Sequence, residues 1–236
     1  MPEILIGKTS IPYTIRESAR AQRISLKIDN RNGLQVILPV GAKVKNLEDL
    51  LHLRQDWILK HLKKVPIQRQ FISGETLLYM GEPHTLEVIP TQTGKRTTVG
   101  RQVNLLRVRL RAGVPPDQQA KEVRSALESW YRMQAKLHLS QRTAELAKQH
   151  GFKYEKITIK GQQTRWGSCS TLGNLNFNWR LMLAPVGAID YVIIHELCHL
   201  REHNHSSKFW ALVERYCPAY ESWERWMGDH HADLTF

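Results

Sequence analysis

YVIIHELCHLREHNHSSKFW, residues 191–210, sets three histidines and a glutamate inside and just after an apolar run. Val192, Ile193 and Ile194 belong in a core, yet His195 and Glu196 follow them directly, and an unpartnered imidazole or carboxylate is costly in an apolar helix. Val186, Ile189, Val192, Ile193, Leu197 and Leu200 spread apolar side chains around the whole circumference, as a buried helix does. On that helix His195 and His199, four residues apart, lie about 40° from one another on one face, one turn above the other. Two imidazoles so placed can share one Zn²⁺. Glu196, one step round from His195, can reach a water beside such an ion without ligating it. Residues 195–199 are therefore the H-E-x-x-H pattern of zinc hydrolases, with the glutamate as general base.

A catalytic zinc keeps three protein ligands and one open position. His205 is the best third ligand: Asn204 can turn the chain, and Ser206 or Ser207 can cap the next helix, folding His205 back towards the pair. His203 competes with it, but is expected to ride on the same helix as His199, one turn on and too far round to converge. A carboxylate ligand from Glu214, Glu221 or Glu224 is a further alternative, though not a required one. The expected cofactor is one Zn²⁺ per chain.

The 236 residues are enough for one large domain or two modest ones. The start, MPEILIGKTS, has no apolar stretch of signal-peptide length, and no apolar run reaches the roughly 18 residues of a membrane span. Cys169, Cys198 and Cys217 lack paired spacing, which argues against a disulfide framework and suits a reducing compartment. The expected location is cytoplasmic. Net charge is +12, concentrated early: residues 1–111 hold 19 Lys and Arg against 9 Asp and Glu. Such a field attracts nucleic acid, nucleotides or acidic protein, or simply keeps a surface solvated. No RNP-like motif, zinc-finger spacing or Walker loop accompanies it.

RISLKIDNRNGLQVILP (23–39) alternates on either side of Asn32-Gly33, a hairpin signal. A helix is expected over about 46–63 with Asn46 as N-cap, then strands in ETLLYMGEPHTLEVIP (75–90) and QVNLLRVRLR (102–111). Arg107, Arg109 and Arg111 share one face of the last strand. Pro115-Pro116 marks a boundary; beyond it Val123, Leu127, Trp130, Gln134 and Leu137 trace a long helix closed by Gly151. KITIK (156–160) and NLNFNWRLML (174–183) read as strands, Pro185 opens the quoted helix, and two short helices end the chain. No internal repeat is visible. The fold class is α+β: a basic β-rich region with one helix over 1–114, then a second domain over 115–236.

RWGSCS (165–170) and HELCHLREHNHSSKFW (195–210), in that order with NLNFNWRLMLAP between them, resemble the YgjP-like family of metal-dependent hydrolases, a minimal zincin group. Arg16-Glu17-Ser18-Ala19-Arg20 followed by Arg23-Ile24-Ser25-Leu26 extends the resemblance over most of the chain. It implies a zincin-like domain at 115–236, His195, His199 and His205 as zinc ligands, Glu196 as base, and an edge strand beside the active-site helix for an extended substrate. The His199-to-His205 interval equals that of metzincins, which need glycine where this chain has Glu202, so the turn must be made differently, at Asn204. In RWGSCS, Arg165 either binds a substrate carboxylate or phosphate, or stabilises an oxyanion; the alternative is that Trp166-Gly167 packs a tight turn. Arg165, Trp166 and Asn176 are the candidate substrate contacts.

The leading expectation is a zinc metallopeptidase acting on a peptide. The alternative is a nucleotide pyrophosphohydrolase acting on a small anionic substrate, although that chemistry usually recruits Mg²⁺ through several carboxylates. A nucleic-acid-binding protein with structural zinc ranks below both.

Overall fold

The computed structural model describes residues 2–7, 9–29, 33–42, 46–62, 69–162 and 165–235. Two compact units emerge from chain contacts, Met1–Gln68 with Asp229–Phe236, and Arg69–Gly228. The first contains strands β1 (Glu3–Ile6), β2 (Thr9–Ser18), β3 (Ser25–Asp29) and β4 (Gly33–Pro39), then helices α1 (Leu47–Leu53) and α2 (Gln55–Leu62). Its sheet runs β1-β2-β4-β3, with both hairpins antiparallel and the central β2/β4 pair parallel. Alternate residues Leu34, Val36 and Leu38 of β4 face the core with Leu51 and Ile58 of the helices. The hairpin expected at Asn32-Gly33 closes with Asp29 opposite Gly33; Asn32 itself lies outside the described residues, as does residue 63 of the expected helix. That helix is broken at Arg54, although the Ile58 N–H still donates to Arg54 O (2.9 Å). Asn46 makes no side-chain capping bond.

The second unit opens with β5 (Thr76–Tyr79), β6 (Glu82–Pro90), β7 (Thr98–Gln102) and β8 (Leu105–Leu110). Their order is β5-β6-β8-β7, again two antiparallel hairpins joined through a parallel central pair. Leu106, Val108 and Leu110 are buried as Leu34, Val36 and Leu38 are, and a glycine at positive φ follows three residues later in each case, Gly41 and Gly113. The chain thus contains a topological repeat, contrary to the sequence reading. The two segments share the string Leu-x-Val-x-Leu-x-x-Gly, at 34–41 and at 106–113, a short signal that reading the residues for strands alone passes over.

Helix α3 (Pro116–His150) packs on β7 and β8, so the sequence boundary at 114/115 falls inside this unit. It ends as expected on Gly151, which is left-handed at φ 68°. Its buried stripe runs through Val123, Leu127, Tyr131, Ala135 and Leu139; Leu137 is 63% exposed. Three strands follow, β9 (Lys156–Lys160), β10 (Gly167–Cys169) and β11 (Asn174–Asn178). Their order is β10-β11-β9, with β11 parallel to β9 and antiparallel to β10. The single strand expected over 174–183 stops at Asn178, because the Asn178 side chain accepts from the Arg180 N–H and caps a 3-10 helix, Trp179–Leu183. Trp179, Leu181, Met182 and Leu183 of that turn are buried.

Helices α4 (Val186–Cys198), α5 (Ser207–Tyr216) and α6 (Tyr220–Asp229) complete the unit. Arg142 of α3 clamps α4 by donating from Nε and Nη2 to both oxygens of Asp190 (2.8 Å each). Gly187 lets α4 meet α6: a Cβ there would clash with the Trp223 ring. The architecture is α+β. Among the described residues no helix is long and apolar enough to cross a membrane.

Candidate metal centre

The quoted stretch does form a buried helix, with Ile189, Val192, Ile193, Ile194 and Leu197 in the core, and it ends sooner than its apolar pattern suggests. His199 is already its C-cap; the Leu200 N–H bonds Leu197 O and the Arg201 and Glu202 N–H groups bond Cys198 O. His203 is therefore off the helix, and not one helical turn beyond His199 as its sequence position suggests. No residue of 199–206 has positive φ, so this turn is made without the glycine that metzincins use. The Ser206 N–H instead closes on Asn204 O (2.7 Å), and Ser206 Oγ caps α5 by accepting from the Phe209 N–H. Arg201 pins the reversal by donating to Gly151 O (2.9 Å), His150 O (3.1 Å) and Tyr216 Oη (2.8 Å).

This reversal brings His205 to His195 and His199. Ring centroids are 4.9 Å apart for His195 and His199, 5.0 Å for His195 and His205, and 4.7 Å for His199 and His205. One nitrogen from each lies within 4.8 Å of the others. Phe209, fully buried on α5, holds the cluster from below, stacked on His199 at 4.4 Å and edge-on to the other two.

The donor set fits zinc. Two nitrogens, each about 2.0–2.1 Å from a tetrahedral zinc, stand roughly 3.3 Å apart, and Nε2 of His195 and His205 are 3.0 Å apart. His199 Nδ1 donates to Glu202 O (3.1 Å), which leaves Nε2 with its lone pair free for an ion. Burial, reinforced by the neighbouring imidazoles of His199 and His205, pushes the His195 imidazole down to about 3. It therefore stays neutral, the form a metal takes.

Glu196, 5% exposed, lies directly behind β10. A Cβ on Gly167 would meet its Oε1, and would lie 2.6 Å from Cγ and 2.8 Å from Cδ. Gly167 is thus a strand residue at the point of closest approach, not the apex of a tight turn. Burial pushes the Glu196 carboxyl up to about 8, with Arg165 pulling the other way. Among the described residues Glu196 Oε2 is buried without a partner.

A cleft of about 510 Å³ opens over this group, lined by Arg165, Gly167, Ser168, Cys169 and Thr171 on one side and by His195, Glu196, His199, His203 and His205 on the other. Of the three candidate substrate contacts it takes in Arg165. Trp166 is not among its lining residues, and the Asn176 amide is spent on Ser168 Oγ (3.1 Å) across the strands. Burial first, then Glu196, pushes the Cys169 thiol up to about 11, which keeps it protonated and a poor nucleophile. Sequence reasoning missed Gly167's contact, Phe209 and Arg201. Only Phe209 left a trace, as an apolar residue three positions after a capping serine.

A family described as "YgjP-like, metallopeptidase domain" matches residues 22–230. Among solved structures, the crystal structure of the metallopeptidase zymogen of Pyrococcus abyssi abylysin is similar at 22% identity and a TM-score of 0.35, over 38% of this chain and 92% of that one. No curated protein matches.

Proposed function

We propose, from the premise that the chain belongs to the YgjP-like metallopeptidase family and is a metallopeptidase-like hydrolase, that it cleaves peptides with zinc held by His195, His199 and His205 and with Glu196 as general base. A zinc ion in that seat supplies a Lewis acid and brings the pKa of a water in its fourth position to about 7. Glu196 takes the proton of the attacking water at its carboxylate and returns it to the leaving amine. Its burial supports that exchange, because desolvation raises the carboxylate's affinity for the proton it must take up. β10 is the edge of its sheet, paired with β11 on one side, and it lines the cleft; its free edge can take an extended peptide as an added strand.

The observation that carries this reading is the convergence of three imidazoles beside a buried carboxylate in one cleft. Cleavage of a phosphoanhydride finds less support, since the three histidines are the only metal-binding cluster among the described residues and no carboxylate group suited to Mg²⁺ accompanies them. Glu196→Gln tests the proposal: the variant should keep its zinc and lose turnover on a peptide library, and unchanged turnover would refute the base. A nucleoside triphosphate panel with Zn²⁺ or Mg²⁺ should give no hydrolysis; rapid hydrolysis there overturns the peptide reading.

A further inference from the structure

We infer that Arg165 is the seat for a substrate carboxylate, so that the cleft selects peptides with an acidic side chain or a free C-terminus next to the scissile bond. The inference rests on the peptidase reading for the kind of substrate. It begins beneath the cleft. Asn178, 2% exposed at the end of β11, donates from Nδ2 to Gln162 O (2.6 Å) and to Arg165 O (3.1 Å), and its N–H donates to Trp166 O (2.8 Å). Arg180 reaches back to Gly161 O (3.3 Å), and Gly161 is pressed so close to Trp179 that a Cβ would lie 3.1 Å from Nε1. The carbonyls of Gln162, Arg165 and Trp166 are therefore held from a buried base.

What that base presents is an exposed guanidinium. Among the described residues the Arg165 side chain has no hydrogen bond or ion pair, and it is the only Lys or Arg lining the cleft. It lines the same cleft as Glu196 and the three histidines and stands within electrostatic reach of that carboxylate. A planar fork of five N–H donors matches a carboxylate bidentately, and a fixed backbone reduces the ordering cost of binding. A lysine would present a point charge without the fork. If Arg165 served only to steer Glu196, its loss would affect every substrate equally.

Binding measured by calorimetry on the full-length, zinc-loaded protein carrying Glu196→Gln decides the matter without turnover. The probes are acetyl-pentaalanine amide, the same peptide with a central glutamate, acetyl-pentaalanine with a free C-terminus, and inorganic phosphate. At least one acidic peptide should bind about tenfold or more tightly than the neutral one. Adding Arg165→Ala should erase that difference by weakening the acidic peptide's binding more than the neutral peptide's, and Arg165→Lys should restore part of it. Which acidic peptide gains shows whether the carboxylate comes from a side chain or a chain end. Equal affinity for neutral and acidic peptides, no binding by any peptide, an equal loss across all probes in Arg165→Ala, or phosphate alone depending on Arg165 would each overturn the inference. A protein that hydrolyses no peptide would instead refute the peptidase reading, leaving this comparison intact.

Discussion

Gly167→Ala puts one methyl group where the Glu196 side chain now lies. The added carbon would sit 2.6 Å from Cγ and 2.8 Å from Cδ, against an optimum of about 3.5–4.0 Å between carbons, so one partner must yield by roughly 1 Å. β10 is tied into its sheet from Gly167 to Cys169, opposite Phe177 to Leu175. Glu196 Oε2 has no partner among the described residues, so the carboxylate is the part that moves. Crowding of this kind costs about 1–3 kcal/mol of stability, whereas a catalytic group misplaced by 1 Å costs about a hundredfold in rate. The rate effect should dominate. We expect zinc content unchanged, a modest fall in Tm, and kcat down by about two orders of magnitude on the best peptide. Gly100→Ala is the control, since a Cβ there meets nothing within 4 Å and the backbone is not at positive φ. Wild-type turnover in Gly167→Ala would refute the claim that β10 fixes the base.

Three further outcomes follow from the packing and the titrating groups. Arg142→Met leaves Asp190, half-buried on α4, without its bidentate partner; unfolding in urea should show a loss of about 1–3 kcal/mol, and no loss would mean the clamp is idle. Gly187→Ala drives a methyl group into the rigid Trp223 ring, and Tm should fall by an amount corresponding to about 1–3 kcal/mol. In metal-free protein, His195 binds its proton more weakly when folded, from 6.5 down to about 3, so stability falls as pH drops through that window. Glu196 holds its proton more tightly, from 4.5 up to about 8, so stability falls as pH rises through that one. The slopes oppose between 4.5 and 6.5, and chelator-treated protein should show a plateau there with declines on both sides; a monotonic Tm profile contradicts this.

The site was legible in the sequence wherever helical period fixes geometry. Four residues separate His195 from His199, and a helix leaves one arrangement for that spacing. His205 was legible through its flanks, Asn204 and Ser206, whose turn and cap chemistry is local. Gly167 was not, because its role depends on a carboxylate 29 positions away in the chain, and a strand glycine looks the same as a turn glycine until the partner is in place. Asn178 hid for a different reason: the alternation of NLNFNWRLML continues through it, while its side chain stops the strand and holds the Arg165 backbone. The repeated sheets share Leu-x-Val-x-Leu-x-x-Gly at 34–41 and 106–113, a string short enough to be read as two ordinary strands, and the break at Arg54 left no local signal that we can identify.

The account depends on three imidazoles converging on one ion, and metal stoichiometry measures this most directly. Elemental analysis of purified protein should find one zinc per chain in the wild type and in His203→Ala, and none in His195→Ala, His199→Ala or His205→Ala. Zinc retained by His205→Ala and lost from His203→Ala would contradict it.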